Sequence, residues 1–375
     1  MGTYGYDKAF LTKQNITFVE LEQSGAKIII VPEYQARVMT STAGGDTSDS
    51  YGWINYKLIE SGKKNNQFNP VGGEERFWLG PEGGPFSLYF QEGKEQVYEN
   101  WIVPPVIDTE PFILKNKGIN NVSYEKSATL TNASGTVFNV GIERTITLLS
   151  KDSVSSLLNA SIPDDMKFVA FRTDNVLKNT GIDPWTKDGG LISIWLLGMF
   201  NPTSETTVFI PFNKEANGVI VNDEYFGKVP SDRLIVEDNI LYFKIDGQYR
   251  SKIGIPVSRA KHLCGSYDSG RNLLTLVWYS LPDERNIYAN GKWGKQEDPF
   301  CGDVVNAYND GPVEDGTIMG PFYEIETSSP VAELKPGESI CHSQCIIHIQ
   351  GDEEKLSQLV LKLFNTDLNK IKTRF

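Results

Sequence analysis

ITFVELEQSGAKIIIVPEYQARVMT, residues 16–40, decides the fold class. From Ile16 to Glu22 apolar and polar residues alternate, the period of a half-buried strand. Ser24-Gly25 supplies a turn, Lys27 to Pro32 is a β-branched run, and Ala36 to Thr40 alternates again. Consecutive short strands joined by a tight turn are the start of an antiparallel meander, not of a helical bundle.

The same signals recur outward from this stretch. Strand-type runs occupy Phe86 to Phe90, Thr129 to Thr131, Arg144 to Leu149, Phe168 to Arg172, Leu191 to Leu197 and Thr207 to Ile210. They continue through Gly218 to Val221, Ile240 to Ile245, Leu273 to Trp278, Phe322 to Thr327 and Ile340 to Gln350. Turn chemistry separates them, at Asn132-Ala-Ser-Gly, Lys187-Asp-Gly-Gly, Asp246-Gly247 and Asn309-Asp-Gly-Pro. The spacing shows no internal repeat, which argues against a propeller. Only Glu353 to Phe364 has helical periodicity, with Leu356, Leu359, Val360 and Leu363 on one stripe and Asp352 placed as N-cap. The expected class is all-β with a C-terminal helix. No linker or shift in composition divides the chain, so a single domain over 1–375 is expected.

Composition narrows the partners. The net charge of −12 opposes nucleic acid and anionic membrane surfaces, which attract basic patches. The longest apolar stretches, Ile28 to Val31 and Ile192 to Phe200, are far shorter than the ~20 residues of a membrane span. The opening Met1-Gly2 precedes a polar segment unlike a signal peptide. An exported protein, periplasmic or secreted, whose signal has been removed is the expectation. The cysteines Cys264, Cys301, Cys341 and Cys345 form no CxxC and no disulfide framework.

Five segments carry candidate chemistry. GGEERFWLGPEGGP, residues 72–85, reads as a glycine-rich loop holding Arg76, Trp78 and Glu82. Arg offers a planar fork of donors and Trp a flat face on which a sugar ring stacks. Around residues 179–195, Trp185 follows a proline in a loop and is the better ligand candidate, whereas Trp195 lies in an apolar strand and reads as core. Residues 306–316 are rich in oxygen ligands: Asp303, Asn306, Asn309, Asp310 and Asp315 suit a hard cation such as Ca²⁺, although Asn-Asp-Gly-Pro is first a turn signature. In Phe322-Tyr-Glu-Ile-Glu-Thr, strand alternation projects Glu324 and Glu326 from one face. Two such carboxylates raise one another's proton affinity, which suits acid–base work; a solvated strand face explains them as well. Finally, His342, Gln344 and His348 share one face of Ile340 to Gln350, read as the open face, while Cys341, Ser343, Cys345, Ile347 and Ile349 take the side read as core.

These residues bring the chain to a resemblance. Residues 24–41 resemble the opening strands of galactose-mutarotase-like proteins, which implies a large antiparallel β-sandwich of that superfamily. Tyr323-Glu-Ile-Glu-Thr-Ser-Ser-Pro resembles the strand on which aldose 1-epimerases carry their catalytic Glu before a Thr, which implies Glu326 as base. The order of Arg-Phe-Trp-Leu-Gly-Pro-Glu-Gly-Gly, Ile-Trp-Leu-Leu-Gly-Met-Phe, Asn-Asp-Gly-Pro and Phe-Tyr-Glu-Ile-Glu-Thr resembles an uncharacterised family of exported proteins from polysaccharide-degrading Gram-negative bacteria. The epimerases' general-acid His, in an Asn-His motif, has no counterpart here; the single mid-chain histidine, His262, lies in Arg-Ala-Lys-His-Leu-Cys. The resemblance therefore implies a mono- or oligosaccharide partner and no cofactor. Glu326 would be base, with Glu324, His342 or His348 as acid, and Arg76, Trp78, Glu82, Trp185, Asn306 and Asn309 as binding groups. A non-catalytic carbohydrate-binding or accessory protein, and a structural sandwich, remain the alternatives.

Overall fold

The computed structural model describes residues 2–282 and 286–375; Met1, which opens the stretch read for an export signal, lies outside them. The chain begins with helix α1 (Tyr4–Lys13), capped by Thr3, whose side chain accepts from the Tyr6 amide. Strands β1 (Val19–Gln23), β2 (Ala26–Val31) and β3 (Arg37–Thr42) then pair in order as an antiparallel three-stranded sheet. Helix α2 (Tyr56–Ser61) precedes β4 (Arg76–Gly80), β5 (Ile113–Lys117), β6 (Asn121–Thr131) and β7 (Val137–Leu148). Helix α3 (Lys151–Leu158) leads into β8 (Lys167–Asn179), β9 (Ser193–Phe200) and β10 (Thr206–Pro211). There follow β11 (Leu234–Glu237), β12 (Ile240–Lys244), β13 (Ser251–Pro256), β14 (Leu263–Asp268) and β15 (Leu273–Tyr279). The last strands are β16 (Asp303–Asn309), β17 (Tyr323–Ser328) and β18 (Ser339–Gln350), before helices α4 (Glu353–Phe364) and α5 (Leu368–Lys372).

Two larger sheets make the sandwich. One has ten strands in the order β11-β12-β10-β14-β15-β18-β8-β7-β6-β5, and the other five, in the order β13-β16-β17-β9-β4. Between them lies the main core, to which β7 gives Val140 and Ile142, β9 Ile194 and Leu196, β17 Ile325 and β18 Ile346. A second apolar layer covers the far side of the ten-stranded sheet. There Phe209, Leu276, Cys345 and Ile347 meet Val154 of α3, Leu356, Leu359 and Val360 of α4 and Ile371 of α5. The C-terminal helix read from its apolar stripe is therefore α4, capped by Asp352, and it backs a sheet.

Several strand expectations change. Residues 86–90 and 218–221 are turns and irregular chain, because neighbouring glycines and prolines outweigh short apolar runs. Conversely, β4 lies inside the segment read as a glycine loop, and β16 begins before the Asn-Asp-Gly-Pro turn. The reading of β18 is also corrected. His342, Gln344 and His348 are not on an open face: each is at most 1% exposed, facing the five-stranded sheet, while Cys345, Ile347 and Ile349 face the helices. Both faces of a central strand in a covered sheet are buried, so alternation alone does not say which is wet. Cys341 is exposed, and all four cysteines are free.

Candidate functional site

Side-chain alternation along β17 sends Thr327 and Ile325 into the core and Glu324 and Glu326 to the opposite, outer face of the five-stranded sheet. The strands beside β17 fix what those two carboxylates meet. Glu326 stands in register with Asn306 on β16 and Leu197 on β9, and Leu197 with Arg76 on β4. Lys252 enters from β13, whose Gly254 lets Asp303 lie across it: a Cβ there would stand 2.0 Å from Asp303 Oδ2.

Each buried carboxylate has a cation. Lys252 Nζ donates to Glu326 Oε2 at 2.8 Å, and Trp195 Nε1 donates to the same oxygen at 3.0 Å. Arg76 Nη2 donates to Glu324 Oε1 at 2.7 Å, with its guanidinium 4.3 Å from the Trp78 ring. Lys252 Nζ in turn lies 5.0 Å from the Trp195 ring and 5.4 Å from the Tyr225 ring. Among the described residues, Arg76 Nε and Nη1 are buried donors without a protein acceptor.

Two further carboxyls join them. Asp303 accepts from Asn222 Nδ2 at 2.7 and 3.0 Å and from the Tyr225 hydroxyl at 2.5 Å; that hydroxyl accepts from Asn306 Nδ2 at 3.2 Å. Glu82, partly buried on the segment after β4, accepts from the Trp293 side chain. Burial pushes the Asp303 carboxyl up to about 6 against the pull of Tyr225 and Asn222. Burial, opposed by Arg76 and aided by Glu326, pushes Glu324 up to about 7. Glu82 is raised as well, by burial first and then by Glu326, although Lys252 opposes it. Burial works against the Lys252 ammonium, but Glu326 and Glu82 outweigh it and raise its proton affinity. Four carboxyls thus stand around two cations, and burial raises the proton affinity of Glu324, Asp303 and Glu82.

This cluster borders two hollows. A small pocket of about 40 Å³ is lined by Glu82, Ser193, Trp195, Lys252, Asn306 and Ser328, among others. That is room for roughly three waters. A cavity of about 410 Å³ adjoins it between residues 219–228 and 290–303 and includes Asn222, Glu224, Lys228, Asn290 and Lys292 in its wall. Tyr225 and Asp303 line both, so their hydrogen bond forms the partition. The larger volume is within the ~300–1,000 Å³ of small-molecule sites.

The candidates read from sequence thus divide. Glu324, Glu326, Arg76, Trp78, Glu82 and Asn306 come together. His342 and His348 do not: they lie on the other side of the five-stranded sheet. His342 Nε2 is 2.8 Å from Thr327 Oγ1, and its Nδ1 is 3.1 Å from Ser280 Oγ. Burial pushes it down to about 3, so it stays neutral. His348 Nε2 meets Glu74 at 2.9 Å, Nδ1 meets Thr275 at 2.8 Å, and its ring stacks on Tyr51. Trp185 is buried edge-on against Phe138 and lines neither hollow, whereas Trp195, buried in the core as read, also donates to Glu326. Asn309 is buried on the inner face, bonded to Asp246, Gly247 and Tyr249. The oxygens suggested for Ca²⁺ accept from protein donors: Asp303 as above, and Asp310 from Gly320 and Tyr308. Among the described residues no group of three or more His, Cys, Asp or Glu is arranged to hold a metal.

Sequence reasoning missed Lys252, Tyr225 and Asn222. Lys252 left one signal, a lone cation in the otherwise apolar Ser-Lys-Ile-Gly-Ile-Pro strand. No described helix is long and apolar enough to cross a membrane.

The overall fold is similar to that of galactose-mutarotase-like proteins. A putative aldose 1-epimerase from Escherichia coli K12 superposes with a TM-score of 0.53 at 9% identity, covering 89% of this chain and 99% of its own. A galactose mutarotase-like protein from Lactobacillus casei gives 0.52 at 9% identity, covering 88% and 100%. A Synechocystis protein gives 0.53 at 13% identity, covering 90% and 96%. Within that fold the chain belongs, over residues 2–375, to the family described as a family of unknown function (DUF6786). No curated protein sequence matches it.

Proposed function

We propose that this chain is a carbohydrate-active enzyme that moves protons at the anomeric centre of a sugar, with Glu326 as the base. The observation that carries the reading is the outer-face cluster: four buried or partly buried carboxyls around two cations, beside a cavity of sugar size. Carboxyls whose surroundings push their proton affinities apart are the material of acid–base chemistry. Arg76 and Asn306 would bind hydroxyls, and the Trp78 and Trp195 faces would flank the ring. The resemblance of Glu326-Thr327 to the epimerase strand supports the choice of base. The resemblance of the motif order to a family of exported proteins supports a periplasmic or secreted role in glycan use, and the net charge of −12 disfavours nucleic acid.

One-dimensional proton NMR of freshly dissolved α-aldoses tests this directly. Catalytic protein is expected to speed anomer interconversion, and Glu326→Gln to lose at least ~100-fold of that acceleration, the usual worth of a positioned base. No acceleration with any aldose sinks the enzymatic reading.

One observation favours a second reading, non-catalytic sugar binding. The Glu326 side chain is 1% exposed, behind Lys252 and Trp195, and the pocket above it has room for water alone. Calorimetric binding of a sugar that the protein does not interconvert is the result that reading requires.

A further inference from the structure

Anomer interconversion needs a proton donor at the ring oxygen as well as a base at the anomeric hydroxyl. The histidines are excluded by position, since β17 separates them from Glu326. The remaining candidates are the titratable groups that border the small pocket: Glu82, Asp303, Lys252 and Tyr225.

Three of these are committed elsewhere. Asp303 receives three hydrogen bonds from Asn222 and Tyr225, so its oxygens already face donors and a proton on either would meet another hydrogen. Lys252 donates to Glu326, which raises its proton affinity. Tyr225 donates to Asp303, and its hydroxyl is raised well above its ordinary value by burial and that carboxylate. Glu82 is less committed. It lies on the pocket wall, partly accessible, on a segment anchored by its own chain: Ser87 Oγ donates to its carbonyl, and Gln96 brackets the neighbouring Gly84 at 2.9 and 2.7 Å. Trp293 donates to its carboxyl. Lys252 and Trp195, which both donate to Glu326, line the same pocket as Glu82 and bring the base to its wall.

Resting on the sugar-enzyme reading, we propose that Glu82 is the general acid that works opposite Glu326 on the ring oxygen of an aldose. Its carboxylic proton passes to the ring oxygen as the C1–ring-oxygen bond breaks, its electron pair going to that oxygen. Glu326 takes the proton of the C1 hydroxyl and the C1=O bond of the open-chain aldehyde forms. Rotation about C1–C2 and the reverse step close the other anomer and restore both carboxyls. No oxidant, reductant or second substrate enters. The burial that raises Glu82 keeps the required proton on it over a wider pH range.

The test uses the full chain and whichever aldose the wild-type protein interconverts. Glu82→Gln keeps the shape of the side chain and removes the proton; the expected result is a fall in kcat of at least ~100-fold with KM little changed. The descending alkaline limb of the pH profile disappears with it, because that limb reports loss of the acid's proton. Added formate restores part of the rate to Glu82→Ala, and Glu82→Asp keeps the limb, neither of which a merely structural role produces. If Glu82→Gln keeps the wild-type rate and limb while Glu326→Gln is inactive, the assignment of Glu82 is overturned and the enzymatic reading stands. If the wild-type protein interconverts no aldose, both fall together.

Discussion

On the inner face of β17, Thr327 meets His342 and Gln344; on the outer face, one residue away, Glu326 meets Lys252. Both clusters are buried and rich in hydrogen bonds, yet they are differently constituted. Inside, each acid has its own partner: Glu75 takes the Arg144 fork with Asn175 and Thr173 alongside, and Glu74 takes His348 and Ser41. Neither of the two hollows described above is lined by these residues. Outside, carboxyls outnumber cations two to one and a cavity stands next to them. Burial of polar groups is thus common to scaffold and candidate site. Surplus charge beside open volume is what separates them.

That contrast can be broken by substitution. Arg144→Met leaves Glu75 as an uncompensated buried charge, so a loss of about 3–5 kcal/mol in chemical denaturation is expected. Sugar affinity, measured on the folded fraction, should change little. If it collapses while stability holds, the inner cluster has been misassigned. Trp185→Ala sharpens the same contrast among tryptophans: removal of a buried ring costs about 3–5 kcal/mol. Trp195→Phe should instead spare stability and weaken sugar turnover, by taking a donor from Glu326.

Smaller effects follow from titration. His342 stays neutral in the fold down to about 3, whereas an unfolded His accepts a proton near 6.5. The unfolded chain therefore binds more protons in that window, and stability from this site is lost as pH falls from about 6.5 toward 3. His342→Gln should flatten that slope, at a cost of about 1–3 kcal/mol at neutral pH for disturbed hydrogen bonds. Glu324 runs the other way. Raised to about 7, it holds a proton in the fold that an unfolded Glu has released, so its contribution is fullest below about 4.5 and is lost as pH rises through 7. Glu324→Gln should accordingly gain on the wild type between pH 5 and pH 8. A constant difference across that range would mean that Arg76 alone sets the state of Glu324.

Much of this was legible in the chain. Alternation gave most of the large strands, and parity placed Glu324 and Glu326 on one face, where they lie. Among the strands that escaped, β4, β13 and β16 all belong to the sheet that carries the candidate site, and β4 and β16 are bordered by the Gly, Pro, Asn and Asp that usually end strands. Parity also says which residues share a face but not what covers it. For that reason the histidines of β18 read as lying on an open face, and the contact of the buried Trp195 with Glu326 leaves no sign in the sequence. Lys252, Tyr225 and Asp303 converge from separate parts of the chain, and no local pattern announces a meeting of that kind.

The ten-stranded sheet has a history as well as a shape. Five of its strands, β11-β12-β10-β14-β15, form one block and four, β8-β7-β6-β5, another, and β18 alone joins them by pairing with β15 and β8. As the chain emerges from the ribosome, both blocks wait with an unpaired edge until residues 339–350 arrive to close the seam. A chain that stalls earlier presents two long strand edges to its neighbours, the arrangement most apt to recruit a second copy.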